Sequence, residues 1–292
     1  MAGQSKRILA AVAFASAAAL APGAWAGPVI LGGDDLNDHG SFNGTNNIEG
    51  WLYIQNALAN LLTGITRPGN DGTIVVLGAA PTVPATSTPT AGESCGAAYW
   101  PAQRLVPVRT VTCIDTAAGI TTFFANLAAG TANPAIIVYP GNGASNGVDT
   151  AEETALLANA GAISNFVASG GGLLGHTGPY TWLSALVPGI TTTGGCIESG
   201  ATLTPAGVAA FPTVTNADIT AGPCHNSFAG NLGGLGILAL DGSTPRLNFI
   251  IGGGAGTSFA PVSRDIPTMS EWTMILMALL LASLGAAALR RR

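Results

Sequence analysis

The chain has 292 residues, 48% of them hydrophobic and only 9% charged, with a formal net charge of −5. Between Gly27 and Asp265 there are five arginines and no lysine against fourteen Asp or Glu, and five minus fourteen leaves that span near −9. Phosphate backbones are held by clustered Lys and Arg, so a nucleic-acid partner is excluded, and about 240 residues suffice to bury one sizeable core in a single domain.

Lys6 and Arg7, an apolar run from Ile8 to Leu20, and Ala24-Trp25-Ala26 before Gly27 have the three-part layout of a secretory signal peptide, with cleavage expected after Ala26. An uncleaved N-terminal anchor is the alternative, disfavoured by the shortness of the apolar run. Pro28 to Leu31 reads as a first strand.

The next segment, Gly32-Gly33-Asp34-Asp35-Leu36-Asn37-Asp38-His39-Gly40, sits where open α/β folds usually bind ligands. Asp34, Asp35, Asp38 and His39 are candidate ligands for a hard cation, calcium being the one cofactor the loop suggests, although the spacing is not that of an EF-hand. The competing reading is a solvated turn whose Asp and Asn side chains bond the backbone.

Glu49 to Leu62 predicts an amphipathic helix, Thr73 to Leu77 a second strand, Pro81 to Glu93 a Pro/Thr/Ala-rich loop, Ala117 to Leu127 a helix and Pro134 to Tyr139 a third strand. Gly141 to Gly147 lacks the lysine of a P-loop and, with Asn146 at the third glycine position, misses the dinucleotide spacing. Asp149 to Ala168 predicts the clearest helix, with Asp149 and Glu152 spaced as a capping box. Gly170-Gly171-Gly172 ends it, and Leu173-Leu174 reads as a short buried strand.

The turn Gly175-His176-Thr177-Gly178 follows. His176 is a candidate base or ligand, with Glu152, Glu153 or Asp34 to orient it, or else a polar turn histidine. Tyr180 to Leu186 predicts a helical turn or two, Pro188 to Gly234 an irregular insertion, and Leu235 to Leu240 and Leu247 to Ile251 closing strands. Within the insertion, His225 reads as loop packing. No Gly-x-Ser-x-Gly elbow is present.

At the C-terminal end, Ile266-Pro267-Thr268-Met269-Ser270-Glu271-Trp272 precedes an uncharged apolar run from Thr273 to Leu289, and Arg290, Arg291 and Arg292 follow. Seventeen residues make a helix of roughly 25 Å, near the lower limit for a hydrocarbon core about 30 Å thick. Trp272 suits the membrane interface, and the arginines would stay cytoplasmic, placing the preceding domain outside. A buried hairpin helix is the alternative, and it lacks the polar face such a helix would show.

These residues resemble the IPTL-CTERM sorting tail of Gram-negative bacteria, with Met269 where that family usually has Leu. The resemblance implies an exosortase-type transpeptidase that cuts near Ile266, Pro267, Thr268, Met269 and Trp272, after signal peptidase and Sec-type export have acted at the other end. The stretch Phe166-Val167-x-x-Gly170-Gly171-Gly172-Leu173-Leu174-Gly175-His176 resembles the central part of class I glutamine amidotransferase-like domains, which implies a flavodoxin-like fold. In those enzymes a cysteine nucleophile occupies the turn where this chain has His176 and Thr177.

All four cysteines, Cys95, Cys113, Cys196 and Cys224, lie in the exported span and are even in number, which predicts two disulfides. Of three possible pairings the sequence-local one, Cys95 with Cys113 and Cys196 with Cys224, is expected because each closes a loop-rich excursion. A cysteine zinc site is not expected, since no Cys-x-x-Cys pair exists.

The expected architecture is therefore α/β. It comprises a signal peptide over 1–26, an exported domain over 27–265 with loop insertions near 81–113 and 188–234, and a sorting tail over 266–292 with a transmembrane helix. The domain itself is expected to be an open, mostly parallel, flavodoxin-like sheet with helices on both faces. The expected function is an exported protein, anchored in the inner membrane and then placed at the surface, whose ectodomain is a non-catalytic binding or structural module; extracellular polysaccharide is a candidate partner. The alternative is an extracytoplasmic hydrolase-like enzyme using the Asp34–His39 loop with His176.

Overall fold

The computed structural model describes residues 27–79, 94–142 and 147–254. The expected signal peptide, the Pro81–Glu93 loop, the middle of the 141–147 loop and the whole tail with its Thr273–Leu289 apolar run lie outside the described residues. Among the described residues no helix is long and apolar enough to cross a membrane.

In chain order the elements are β1 (Val29–Gly32), β2 (Gly40–Phe42), β3 (Asn47–Glu49), α1 (Gly50–Thr63), β4 (Ile74–Leu77), α2 (Ser94–Ala102), β5 (Val111–Ile114), α3 (Ala117–Ala129) and β6 (Ile136–Tyr139). Then come α4 (Thr150–Ala158), α5 (Ala160–Ala168), β7 (Gly172–Gly175), α6 (Leu183–Leu186), β8 (Ile190–Thr193), β9 (Thr202–Leu203), α7 (Pro205–Ala210), α8 (Asn216–Ile219), β10 (Ser227–Gly230), β11 (Gly236–Leu240) and β12 (Asn248–Gly253).

β5, β4, β6, β7 and β1 pair side by side in that order, all parallel, and the sheet continues through β12, β10 and β8 with antiparallel pairing. The fold is α/β with a mostly parallel, mixed sheet. A flavodoxin-like sheet runs 2-1-3-4-5, placing the first strand next to the second. Here β1 lies beside β7 instead, so the first and fifth parallel strands are neighbours and their C-terminal ends meet, Leu31 opposite Gly175.

Strand side chains alternate between two buried layers because successive Cβ atoms point to opposite faces. Val29, Leu31, Val75, Leu77, Ile137, Tyr139 and Leu173 join Ile120, Phe123, Leu156, Ile163, Phe166 and Leu183 in one core beneath α3 to α6. The alternate residues Ile30, Ile74, Val76, Ile136, Val138 and Leu174 are equally buried, and α1 packs against β1, β6 and β7. Each such side chain contributes about 1.5–3 kcal/mol when fully buried. That is why all four residues of β1, β4, β6 and β7 are buried and read as unbroken apolar or glycine runs.

Glu152 joins two helices. Its Oε2 accepts from Asp149 N (2.8 Å) while Asp149 Oδ1 accepts from Glu152 N (2.8 Å), completing the expected capping box, and its Oε1 accepts from Thr116 N (2.7 Å) at the head of α3. The expected Asp149–Ala168 helix is broken at Asn159, whose Nδ2 donates to Ala155 O (2.8 Å). Asn competes for backbone partners, so it divides the segment into α4 and α5.

Two stretches expected to be irregular carry regular elements. The 81–113 span holds α2 and most of edge strand β5, stapled together by Cys95–Cys113, and the 188–234 span holds β8, β9, β10, α7 and α8. β8 reads Ile-Thr-Thr-Thr and β10 Ser-Phe-Ala-Gly, too short and too polar to show a period, and pairing across the sheet edge is what makes them strands.

Candidate functional site

β1 and β7 end side by side, and the chain leaves both at the C-terminal edge of the sheet. Beyond β1, Gly33 N donates to Phe249 O (2.9 Å), and His225 N and Asn226 N both donate to Gly33 O (2.8 and 3.2 Å). Asp35 N donates to Pro223 O (3.2 Å), so residues 33–35 lie against residues 223–226, which Cys196–Cys224 ties back to the end of β8. Two glycines make this approach possible. A Cβ on Gly32 would stand 1.5 Å from Asp34 Oδ2, and one on Gly33 would stand 1.6 Å from Asn226 O.

Asp34 points inward to His176. The two are 0% and 1% exposed, with Asp34 Oδ1 and His176 Nδ1 2.7 Å apart, and Leu36 N donates to the same oxygen (3.2 Å). Of the three carboxylates considered for orienting His176, Asp34 is the one that does so. Glu152 caps α3 and α4, and Glu153 binds the Tyr139 hydroxyl (3.0 Å) and Thr181 N (3.1 Å). His176 Nε2, Asp34 Oδ2 and the Tyr53 hydroxyl are buried without hydrogen-bond partners. The Tyr53 ring stands edge-on to His176 with centroids 6.0 Å apart. Burial, reinforced by the Asp34 charge, pushes the Tyr53 and Tyr180 phenols above their ordinary range, so both stay protonated.

The turn after β7 holds a non-glycine residue at positive φ. Thr177 adopts φ 65°, a left-handed conformation that costs a β-branched residue on the order of 1–3 kcal/mol. Hydrogen bonds from Thr177 N (2.7 Å) and Oγ1 (3.2 Å) to Asp34 O hold it there, and Asn226 Nδ2 donates to Thr177 O. No thiol nucleophile is available, because all four cysteines are paired, Cys95 with Cys113 and Cys196 with Cys224.

Asp35, Asp38 and His39 form a group of their own beside Asp34. Their candidate ligand atoms all lie within 4.8 Å of one another, the one such group among the described residues. Asp35 Oδ2 is 2.8 Å from His225 Nε2, and Asp38 Oδ1 is 3.4 Å from His39 Nε2. The carboxylates are buried, whereas the His39 and His225 side chains are 38% and 42% exposed, so the cluster has a solvent-facing side. His225, which reads in sequence as loop packing, stands beside this group through its contact with Asp35. Its only signal was adjacency to Cys224, and the disulfide delivers it to Asp35.

Residues 266–292 match the IPTL-CTERM motif. The IPTL-CTERM match supports a C-terminally sorted, exported protein and implies processing by an exosortase-type enzyme. Two disulfides suit an exported protein, since they persist in oxidising compartments. No curated protein and no solved structure matches the chain.

Burial, and then the nearby Asp35 charge, push the Asp38 carboxyl up to about 6. The hydrogen bond to Asp35 raises His225 above its ordinary 6.5 despite partial burial. Both shifts favour the protonated form in the folded state. Stability from Asp38 is therefore full below its ordinary 3.8 and lost as pH rises through about 6, and that from His225 is lost above its raised value. Asp241 works oppositely. Burial opposes its charge, but hydrogen bonds from Leu247 N, Ser243 and Ile197 N hold its carboxyl below the ordinary value, so its contribution is lost in acid. Melting temperature in metal-free buffer is expected to be higher at about pH 5 than at about pH 8, with the slope reduced in Asp38→Asn. A melting temperature that rises over that interval contradicts the assignment.

Proposed function

We propose that this is an exported protein, held by its C-terminal tail in the inner membrane with its α/β domain in the periplasm and then passed to the cell surface. There the domain acts as a non-catalytic binding module through the loop that follows β1. The IPTL-CTERM match carries the address. The binding reading rests on one observation above the others: Asp35, Asp38 and His39 converge at the C-terminal edge of the parallel strands, with imidazoles open to solvent.

The second reading, a hydrolase-like enzyme, draws on the Asp34–His176 pair. Burial of both groups to 1% exposure or less leaves a substrate no access, and Thr177, where an amidotransferase-like nucleophile would stand, spends its hydroxyl on Asp34 O. The pair suits a structural pin between the β1 and β7 loops better than a base.

Mass spectrometry of the mature protein tests the address. The expected product begins at Gly27, lacks Thr273 to Arg292 and weighs four hydrogens less than the fully reduced chain, two for each disulfide. Retention of the full tail together with free thiols overturns the reading.

A further inference from the structure

We propose that Asp35, Asp38 and His39, with His225 beside them, bind one first-row divalent cation of the zinc class. This rests on the binding-module reading above and names its ligand. Ligand atoms about 2.1 Å from a tetrahedral ion stand roughly 3.4 Å apart. The spread of 4.8 Å therefore closes with side-chain movements of about 1 Å, with no demand on the backbone.

That backbone is already held on several sides: Asp35 N donates to Pro223 O (3.2 Å), the Trp51 indole donates to Asn37 O (2.9 Å) and Gly50 N donates to His39 O (3.0 Å). A Cβ on Gly222 would meet Asp35 O and the His39 side chain, each at 2.9 Å, so the neighbouring loop closes directly over the pair.

A second observation points to a ligand. Asp38 is 7% exposed, and its Oδ1 is fully buried without a hydrogen bond, with His39 Nε2 3.4 Å away. Buried carboxylate oxygens are ordinarily satisfied, and a cation between Asp38 and His39 would satisfy this one. His225 Nε2, 2.8 Å from Asp35 Oδ2, either orients that carboxylate or supplies a fourth donor, and both roles raise affinity.

The donor set selects the metal. Calcium takes six to eight oxygen ligands, whereas two carboxylates with one or two imidazoles suit a borderline cation such as Zn2+. The half-exposed imidazoles leave an entry path for the ion.

The test uses the full-length protein in detergent micelles, without a polyhistidine tag, stripped by chelator and titrated calorimetrically with ZnCl2 alone, then with CaCl2 alone. One zinc per chain is expected, with Asp38→Asn and His39→Ala each weakening binding about tenfold or more, while circular dichroism confirms that the metal-free variants are folded. Zinc should also raise the melting temperature of the unaltered protein and not that of Asp38→Asn. Failure to bind one zinc per chain, affinity in either variant equal to that of the unaltered protein, or tighter binding of calcium than zinc overturns the proposal. A mature chain that starts at Gly27 with both disulfides but binds no zinc refutes the metal alone, whereas a retained tail with free thiols refutes the exported module.

Discussion

Replacing Asp34 by Ala is expected to lower unfolding stability by about 3–5 kcal/mol, a large share of what a domain of this size possesses. Asp34 is 0% exposed, and its Oδ1 serves both His176 Nδ1 (2.7 Å) and Leu36 N (3.2 Å). Removing the carboxylate leaves two buried donors without an acceptor and a void against Gly32. Asp34→Asn keeps an oxygen in place and should cost less, about 1–3 kcal/mol. Urea unfolding monitored by tryptophan fluorescence checks both, read as a shift in midpoint at unchanged slope. Near-unaltered stability of Asp34→Ala, accompanied by loss of an activity, would falsify the structural pin and favour the enzyme reading.

The second large effect belongs to the disulfides. Cys196–Cys224 spans 28 residues and Cys95–Cys113 spans 18, and in the chain-entropy model each contributes about 3 kcal/mol by restricting the unfolded chain. Their consequences for the site should differ. Cys224 adjoins His225 and bridges to Asp34, so replacing Cys196 and Cys224 by Ser should weaken zinc binding as well as stability. Cys113 lies on β5 at the far edge of the sheet, and the corresponding change there should reduce stability while leaving zinc affinity nearly intact. Thermal melts and zinc titrations of the two double variants decide the matter; equal losses of affinity contradict the assignment of His225 to the site.

Elements with a strong period or an unbroken apolar run were legible from residues alone. β1, β4 and β6 are Val/Ile/Leu-rich and buried on both faces, and α1 and α3 follow their expected limits to within about two residues. The Asp149 capping box was legible because it is made within four residues of one another. β8, β10 and α8 were not, being four residues long and rich in Thr, Ser, Ala and Asn. Such segments acquire their conformation from neighbours distant in sequence. The site divides the same way. The Asp34–His39 loop stood out by its density of ligating side chains, but its division into Asp34, paired with His176, and a separate group of Asp35, Asp38 and His39 depends on β7 and residues 223–226.

What the residues alone carry is the sorting motif at 266–292, a short linear pattern that acts through local chemistry and needs no folded partner. An α/β class and two sequence-local disulfides follow equally from patterns a few residues to a few tens of residues long. The placement of β1 beside β7 rather than β4, the pairing of His176 with Asp34 and the arrival of His225 at Asp35 were decided only in three dimensions. Each joins residues more than 140 positions apart, and at that distance it is packing of the two core layers, not any local preference, that determines which side chains meet.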